Sequence, residues 1–308
     1  MNGKMAFRSA RWIAMTFLIL GMLAWSSSVM AQNNKPLVQV NGTTITERDL
    51  QLQFLTRNIP AEQQLELRES FLNDLIEQRL IQEYLQEEKV QVNKVRVEES
   101  LSRVYKIIRE ADRDPVEVLE RLGLNEQMLR DELMLPLAWQ VHLEEKVSSD
   151  KLREFYVQQG RYRQFDGTKL HLRQIFLKLR TADAVDEMVE RMNQIAQQIS
   201  DGKIDFGDAA RKYSEAPTAA QGGDLGFVPY EGVMPLSITG PAFALQKGEL
   251  SEPFVSPFGV HLIQVVDEKP GDLSLEDVRT EVWNAMSESV WNDIVSHRRD
   301  EADIEWIK

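Results

Sequence analysis

The residues that could do chemistry are few and widely spaced. The chain has 308 residues with four histidines, His142, His171, His261 and His297, and no cysteine. Those separations suit no helix-borne metal motif, and no GxxxxGK run is present to cradle a phosphate. No metal or cofactor is expected. Two stretches stand out, QGGDLGFVP at 221–229 and FGVHLIQV at 258–265. Neither places a nucleophile beside a base. His261 shares a strand face with Ile263 and Val265, so its side chain is expected to point into the domain. The glycines Gly222, Gly223 and Gly226 permit tight turns and positive φ around Asp224. That makes QGGDLG a loop scaffold, with Asp224 expected to bond loop backbone amides. Met234 follows in a glycine-rich loop where core packing explains less of its presence.

These residues need elements to hold them. Residues 169–179 alternate as a strand, with Leu170, Leu172, Gln174 and Phe176 on one face and His171 and Arg173 on the other. An amphipathic helix runs through Val185, Met188, Met192, Ile195 and Ile199, and a shorter one carries Phe206, Ala209, Ala210 and Tyr213. The order strand, helix, helix, loop, helix, strand gives an α+β domain on a small sheet. Before it, LVQVNGTTI at 37–45 reads as two strands about an Asn-Gly turn. Thr46 and Asp49 form a capping-box start, and Asp114-Pro115 opens another helix. Pro136 should kink or break the helix that starts at Asn125. Residues 46–160 thus read as all-helical, and 160–169 as a linker. The stripe Leu275, Val278, Val282, Met286, Val290 and Ile294 needs a partner face. It is expected to pack back on the N-terminal helices, leaving the α+β domain as an insertion. The final ADIEWI alternates and is expected to pair near residues 37–45.

The first 31 residues have a basic start at Lys4, Arg8 and Arg11, an apolar stretch from Trp12 to Trp25, and Val29 and Ala31 at the −3 and −1 positions of a cleavage site. They read as a signal peptide cleaved after Ala31; an uncleaved anchor is the competing reading. The apolar core is short for a membrane span, so no stable span remains after processing. An exported chain without cysteine fits the periplasm. The formal charge of the whole chain is −13, and the charged residues of 1–31 are all basic, so the remainder is more acidic still. That argues against nucleic acid as a partner.

Residues 168–268 resemble a parvulin-type (PpiC-like) peptidyl-prolyl isomerase domain. The matching pieces are LRQIFLK, DFGDAARKYS, GGDLGFV, GVM, AFAL, KGELSEPF and FGVHLIQV, in order and at matching spacing. The flanks, VNGTTITERDL with the helices to 160 and the helix from 274, resemble the chaperone core of SurA-type periplasmic folding factors. The resemblance implies a mostly helical α+β protein. Its parts are a signal peptide at 1–31, a helical chaperone domain at 32–160, an inserted parvulin domain at 168–268 with a small, mainly antiparallel sheet, and a C-terminal helix and strand at 272–308.

The resemblance also assigns roles. His261 matches the second histidine of the family centre, and Gln174 stands where the first would be. Ala216 replaces the family's Cys or Asp, with Glu215 beside it and able to reach the centre if the loop shifts. Leu225, Met234 and Ile238 match the proline socket, Ile238 replacing a Phe, and Phe258 lies at its rim. Phe243 and Phe254 are expected to be core. Three functions stay open. One is a folding factor that binds unfolded or nascent exported polypeptides, their proline-containing segments and outer-membrane β-barrel precursors, with weak isomerase activity. The others are a fully active prolyl isomerase and a non-catalytic binding module in an envelope complex. Gln174 and Ala216 favour the first over the second; the retained socket and His261 favour it over the third.

Overall fold

A computed structural model describes residues 35–307 apart from 58, 122 and 182–183. The expected signal peptide and its cleavage site lie outside the described residues. The fold is α+β, and the described chain forms two compact units, residues 35–148 with 286–307, and residues 149–285.

In the first unit, β1 (Pro36–Val40) and β2 (Thr43–Thr46) pair antiparallel with Val40 opposite Thr43. Asn41 and Gly42 both take positive φ, 48° and 82°, as a two-residue hairpin turn matched to strand twist requires. Asp49 Oδ2 accepts from Thr46 N at 2.8 Å, which opens α1 (Glu47–Thr56). Helices α2 (Ala61–Glu87), α3 (Lys94–Glu110), α4 (Pro115–Arg121) and α5 (Glu126–Lys146) follow. Asp114 Oδ1 caps α4 through Val116 N at 2.8 Å. The core gathers Val38, Val40, Ile45, Leu50, Phe54, Phe71, Ile76 and Leu80, each such buried side chain contributing about 1.5–3 kcal/mol. Pro136 does not break its helix: α5 runs through it. The proline forfeits one intrahelical bond, but the following turns bury Leu137, Trp139, His142 and Leu143, and tertiary packing outweighs that loss.

The second unit starts with α6 (Ser149–Val157) and a 3₁₀ turn, Gln158–Gln164. The stretch 160–169 is not a free linker, because Arg163, Asp166 and Thr168 are all buried. Next come β3 (Lys169–Lys178), α7 (Val185–Ser200), α8 (Phe206–Tyr213), β4 (Asp224–Pro229), α9 (Leu236–Phe243), β5 (Phe254–Ser256) and β6 (Gly259–Lys269). The sheet order is β4-β3-β6-β5, every neighbour antiparallel. One face, with Ile175, Leu177, Val260 and Leu262, packs on Met192 and Ile195 of α7 and on Phe206, Ala209 and Ala210 of α8. The other, with Leu170, Leu172, Ile263 and Val265, packs on Val228 and on Ile238, Ala242 and Phe243.

Ser274 and Asp277 form another cap, Ser274 N donating to Asp277 Oδ2 at 2.8 Å, ahead of α10 (Arg279–Glu301). From residue 286 the chain is back in the first unit. Trp291 meets Trp139 edge-on at 5.0 Å, and Trp139 Nε1 donates to Ser287 Oγ at 2.9 Å. β7 (Ile304–Trp306) pairs antiparallel with β1, completing a sheet of order β2-β1-β7. No helix among the described residues is long and apolar enough to cross a membrane.

Candidate active site

β3 is the strand that carries Gln174, and its two edges are held differently. One edge pairs with β6 along its whole length. The other pairs with β4 only as far as Arg173. Beyond it, the segment 214–223 takes over the hydrogen bonding. Gln174 N donates to Gly223 O at 2.9 Å, and Glu215 N donates to Phe176 O at 2.7 Å. Ser214 Oγ accepts from Phe176 N at 3.1 Å, and Glu215 Oε2 accepts from Lys178 N at 2.7 Å. Glu215 is therefore occupied in capping the strand and does not join a polar centre. The segment approaches β3 so closely that a Cβ on Gly223 would overlap the Gln174 carbonyl oxygen. Gly222 and Gly223 also take φ of 70° and 78°.

QGGDLG is only in part the expected loop scaffold. Gly222 and Gly223 form the turn, but Asp224 and Gly226 belong to β4. Asp224 Oδ1 accepts from Gly226 N at 2.9 Å, a backbone amide of its own strand rather than of a loop. It also sits 2.7 Å from His171 Nε2. These two contacts, the amide first, hold the Asp224 carboxyl below the usual carboxylate range. His171 lies opposite Phe227 in the register and is no part of the His261 environment.

His261 stands on the other sheet face. In the register it is opposite Phe176 on one side and Phe254 on the other. The imidazole lies nearly parallel to the Phe254 ring, 5.4 Å between centroids, and tilted against Phe176 at 5.0 Å. It is 3% exposed. Gln174 Nε2 lies 2.6 Å from Nδ1, and Ser256 Oγ lies 2.6 Å from Nε2. Gln174 donates to Nδ1, so Nε2 keeps the proton and donates to Ser256 Oγ, which also accepts from Phe258 N at 3.0 Å. Burial pushes the imidazole pKa down to about 4, with no charged neighbour contributing. At neutral pH the ring is uncharged and both its nitrogens are bonded within the protein.

The apolar residues gather beside this centre. Leu225, Met234 and Phe254 are partly buried and pack on one cluster with Ile238. Ile238 is a core residue at 2% exposure, whereas Phe258 is 55% exposed and joins the centre only through its backbone amide. Phe254, expected as ordinary core, is also a wall of the histidine site. Ala216 offers no polar group, and its amide donates to Ser214 Oγ at 3.2 Å.

Ser256 is the residue that sequence reasoning missed. Its position was readable: Ser256 faces Gly259 across a two-residue hairpin loop, so it falls on the His261 face, diagonal to it. Ser256→Ala would strand both the imidazole Nε2 and the Phe258 amide. A loss of about 1–3 kcal/mol is expected, read by hydrogen exchange of β5 and β6 amides in the full chain. Protection equal to wild type would show that these bonds contribute nothing.

Residues 173–267 match a family model described as a PPIC-type PPIASE domain, and residues 5–141 one described as a SurA-like N-terminal domain. The chain is similar to Chaperone SurA of Bordetella pertussis (strain Tohama I), 43% identical over 110 residues, which is 35% of this chain and 21% of that protein. It is similar to Chaperone SurA of Photorhabdus laumondii, 40% identical over 111 residues, 34% of this chain and 24% of that protein. Each match therefore spans less than a quarter of the curated relative. A solved structure of the peptidylprolyl isomerase PrsA from Bacillus cereus aligns over 90% of this chain and 95% of its own, at 21% identity and a TM-score of 0.39.

Proposed function

The chain joins a SurA-like N-terminal domain to a PPIC-type peptidyl-prolyl isomerase domain, and from this we propose a periplasmic folding factor that holds unfolded exported polypeptides and isomerises their prolyl bonds weakly. The helical segments at both ends of the chain do the holding, with outer-membrane β-barrel precursors among the clients. Residues 168–268 do the isomerisation.

Rotation about the prolyl bond faces amide resonance of about 18–20 kcal/mol. No bond breaks, so the site needs only to favour the twisted amide over the planar one. An apolar socket of Leu225, Met234 and Phe254, backed by the buried Ile238, does this by withdrawing water from the more polar planar form. Polar help would come from an imidazole. The observation that carries the proposal is that both nitrogens of His261 are already bonded, at 2.6 Å each, to Gln174 and Ser256. The ring shapes the floor and gives little to the substrate, which makes the activity weak. The same closure favours a second reading, a proline-binding module without turnover.

One paired experiment separates these. Prolyl-peptide isomerisation and suppression of aggregation of an unfolded β-barrel protein are measured on the full chain and on Gln174→His. A second imidazole at 174 restores a polar group able to change partners, so kcat/KM should rise on the order of tenfold, with aggregation suppression unchanged. No gain in a folded variant sinks the weak-centre reading. Silence of wild type in isomerisation favours the binding module, and absence of suppression removes the holding role. For location, protein recovered from the periplasmic fraction should begin at Gln32; a full-length amino terminus on the cytosolic protein removes that part.

A further inference from the structure

Arg163 lies ten residues before the matched stretch 173–267, in a segment whose composition reads as linker. Its side chain is nevertheless only 4% exposed. Its Nη1 donates to the carbonyls of Leu245 at 2.9 Å and Phe243 at 3.3 Å. Its Nη2 donates to Glu268 Oε2 at 2.7 Å. Phe243 ends α9, where the last carbonyls of a helix have no partner inside it. Glu268 belongs to β6. A guanidinium suits this task because its planar fork can reach two carbonyls and a carboxylate at once.

The neighbouring residues tighten the same place. Leu273 N donates to Asp166 O at 3.1 Å, and Gly271 N donates to Thr168 Oγ1 at 3.1 Å. The two segments cross so closely that a Cβ on Gly271 would overlap Asp166 O. The chain entering the sheet is thus clasped to the chain leaving it, and Arg163 stands above the clasp. α9 needs such an anchor. It has eight residues with Pro241 inside, so its own hydrogen bonds hold it poorly.

We propose that Arg163 is a positioning residue for the proline socket: by binding the end of α9 to β6 it sets the distance of Ile238 and Met234 from His261. This rests on the reading of that site as a prolyl-peptide site. It also places the working limit of the unit outside the matched stretch.

The test uses the full chain with Arg163→Met, Arg163→Lys and Glu268→Gln. Binding of a prolyl peptide is measured by chemical-shift perturbation, and KM and kcat where turnover is seen. Arg163→Met should weaken binding and raise KM roughly tenfold, the scale of a small misplacement of a site, with kcat unchanged because Gln174, His261 and Ser256 are untouched. Arg163→Lys should fall between, since an ammonium can keep Glu268 but cannot span both carbonyls. A merely structural role would lower the folded fraction instead, reducing apparent kcat at constant KM; that pattern overturns the proposal. So does wild-type affinity in a folded Arg163→Met. If Arg163→Met does not fold, Glu268→Gln carries the same test, with a smaller expected rise in KM, and unchanged KM counts against. Binding without turnover in wild type removes the isomerase reading and leaves this test intact on affinity alone. Absence of binding in wild type overturns both.

Discussion

Gly223→Ala is expected to unfold the sheet that carries the histidine. The substitution meets two obstacles at once. Its φ of 78° is a conformation that costs an L-residue roughly 1–2 kcal/mol. The new Cβ would also overlap the carbonyl oxygen of Gln174, which is main chain and cannot swing aside. Relief requires the 214–223 segment to lift, which releases the Gln174 N to Gly223 O bond and the cap over Phe176 and Lys178. A loss above about 4 kcal/mol is expected, in the range reserved for single changes with a named backbone cause. Gly226→Ala is the control: φ is 68° there too, but nothing lies within 4 Å of the added carbon. It should cost only about 1–2 kcal/mol. Equal stability of the two variants by denaturant titration of the full chain would show that the crossing is not tight.

The same sheet should be sensitive to acid before its carboxylates titrate. An unfolded imidazole takes a proton below about 6.5, while folded His261 stays neutral until about 4. Between these values the unfolded state binds the additional proton, so stability falls as pH falls. The contribution is complete above about 6.5, is lost progressively on the way to about 4, and then levels off, for a total of roughly 3 kcal/mol. Carboxyls held low, such as Asp224 and Asp267, lose their share only at lower pH. Hydrogen exchange of β3 and β6 amides from pH 7 to 4 measures the effect. His261→Gln, which cannot titrate, should flatten the profile; an unchanged slope in that variant would assign the effect elsewhere. In the helical unit, His142 is also buried and pushed down by burial, so its stability should fall with acid in the same direction.

Much of this was legible because it is local. The Asn41-Gly42 turn and the caps at Thr46 and Asp114 depend on residues within a few positions of one another, and period-2 alternation places Gln174 and His171 on opposite faces of β3. What stayed hidden depended on the third dimension. Arg163 sits among polar neighbours and becomes a buried tie only once α9 and β6 come to it. The glycines and aspartate of β4 have low strand propensity and suggest a loop, yet pairing with β3 imposes the strand. Pro136 reads as a kink or a break because the packing of Trp139, His142 and Leu143, which keeps the helix running through it, is invisible in one dimension. Glu215 stands close enough in sequence to reach the polar centre after a loop shift, but a free strand edge nearby claims it.

The pairing of β7 with β1 sets a timetable. A chain that emerges from its amino terminus delivers β1 and β2 early, but the third strand of their sheet, Ile304–Trp306, comes after the other described elements. The helical unit must therefore wait, incomplete, with one edge of β1 unpaired and Trp139 without Trp291. Residues 149–285 are contiguous and can close as soon as they appear. Within the described residues maturation then runs against chain order, 149–285 first and the unit that begins with β1 last, with the closing contact spanning nearly all of them. The entropy of so long a closure grows only logarithmically with length, so the delay is one of synthesis and search, and the exposed edge of β1 is the vulnerable feature of the young chain.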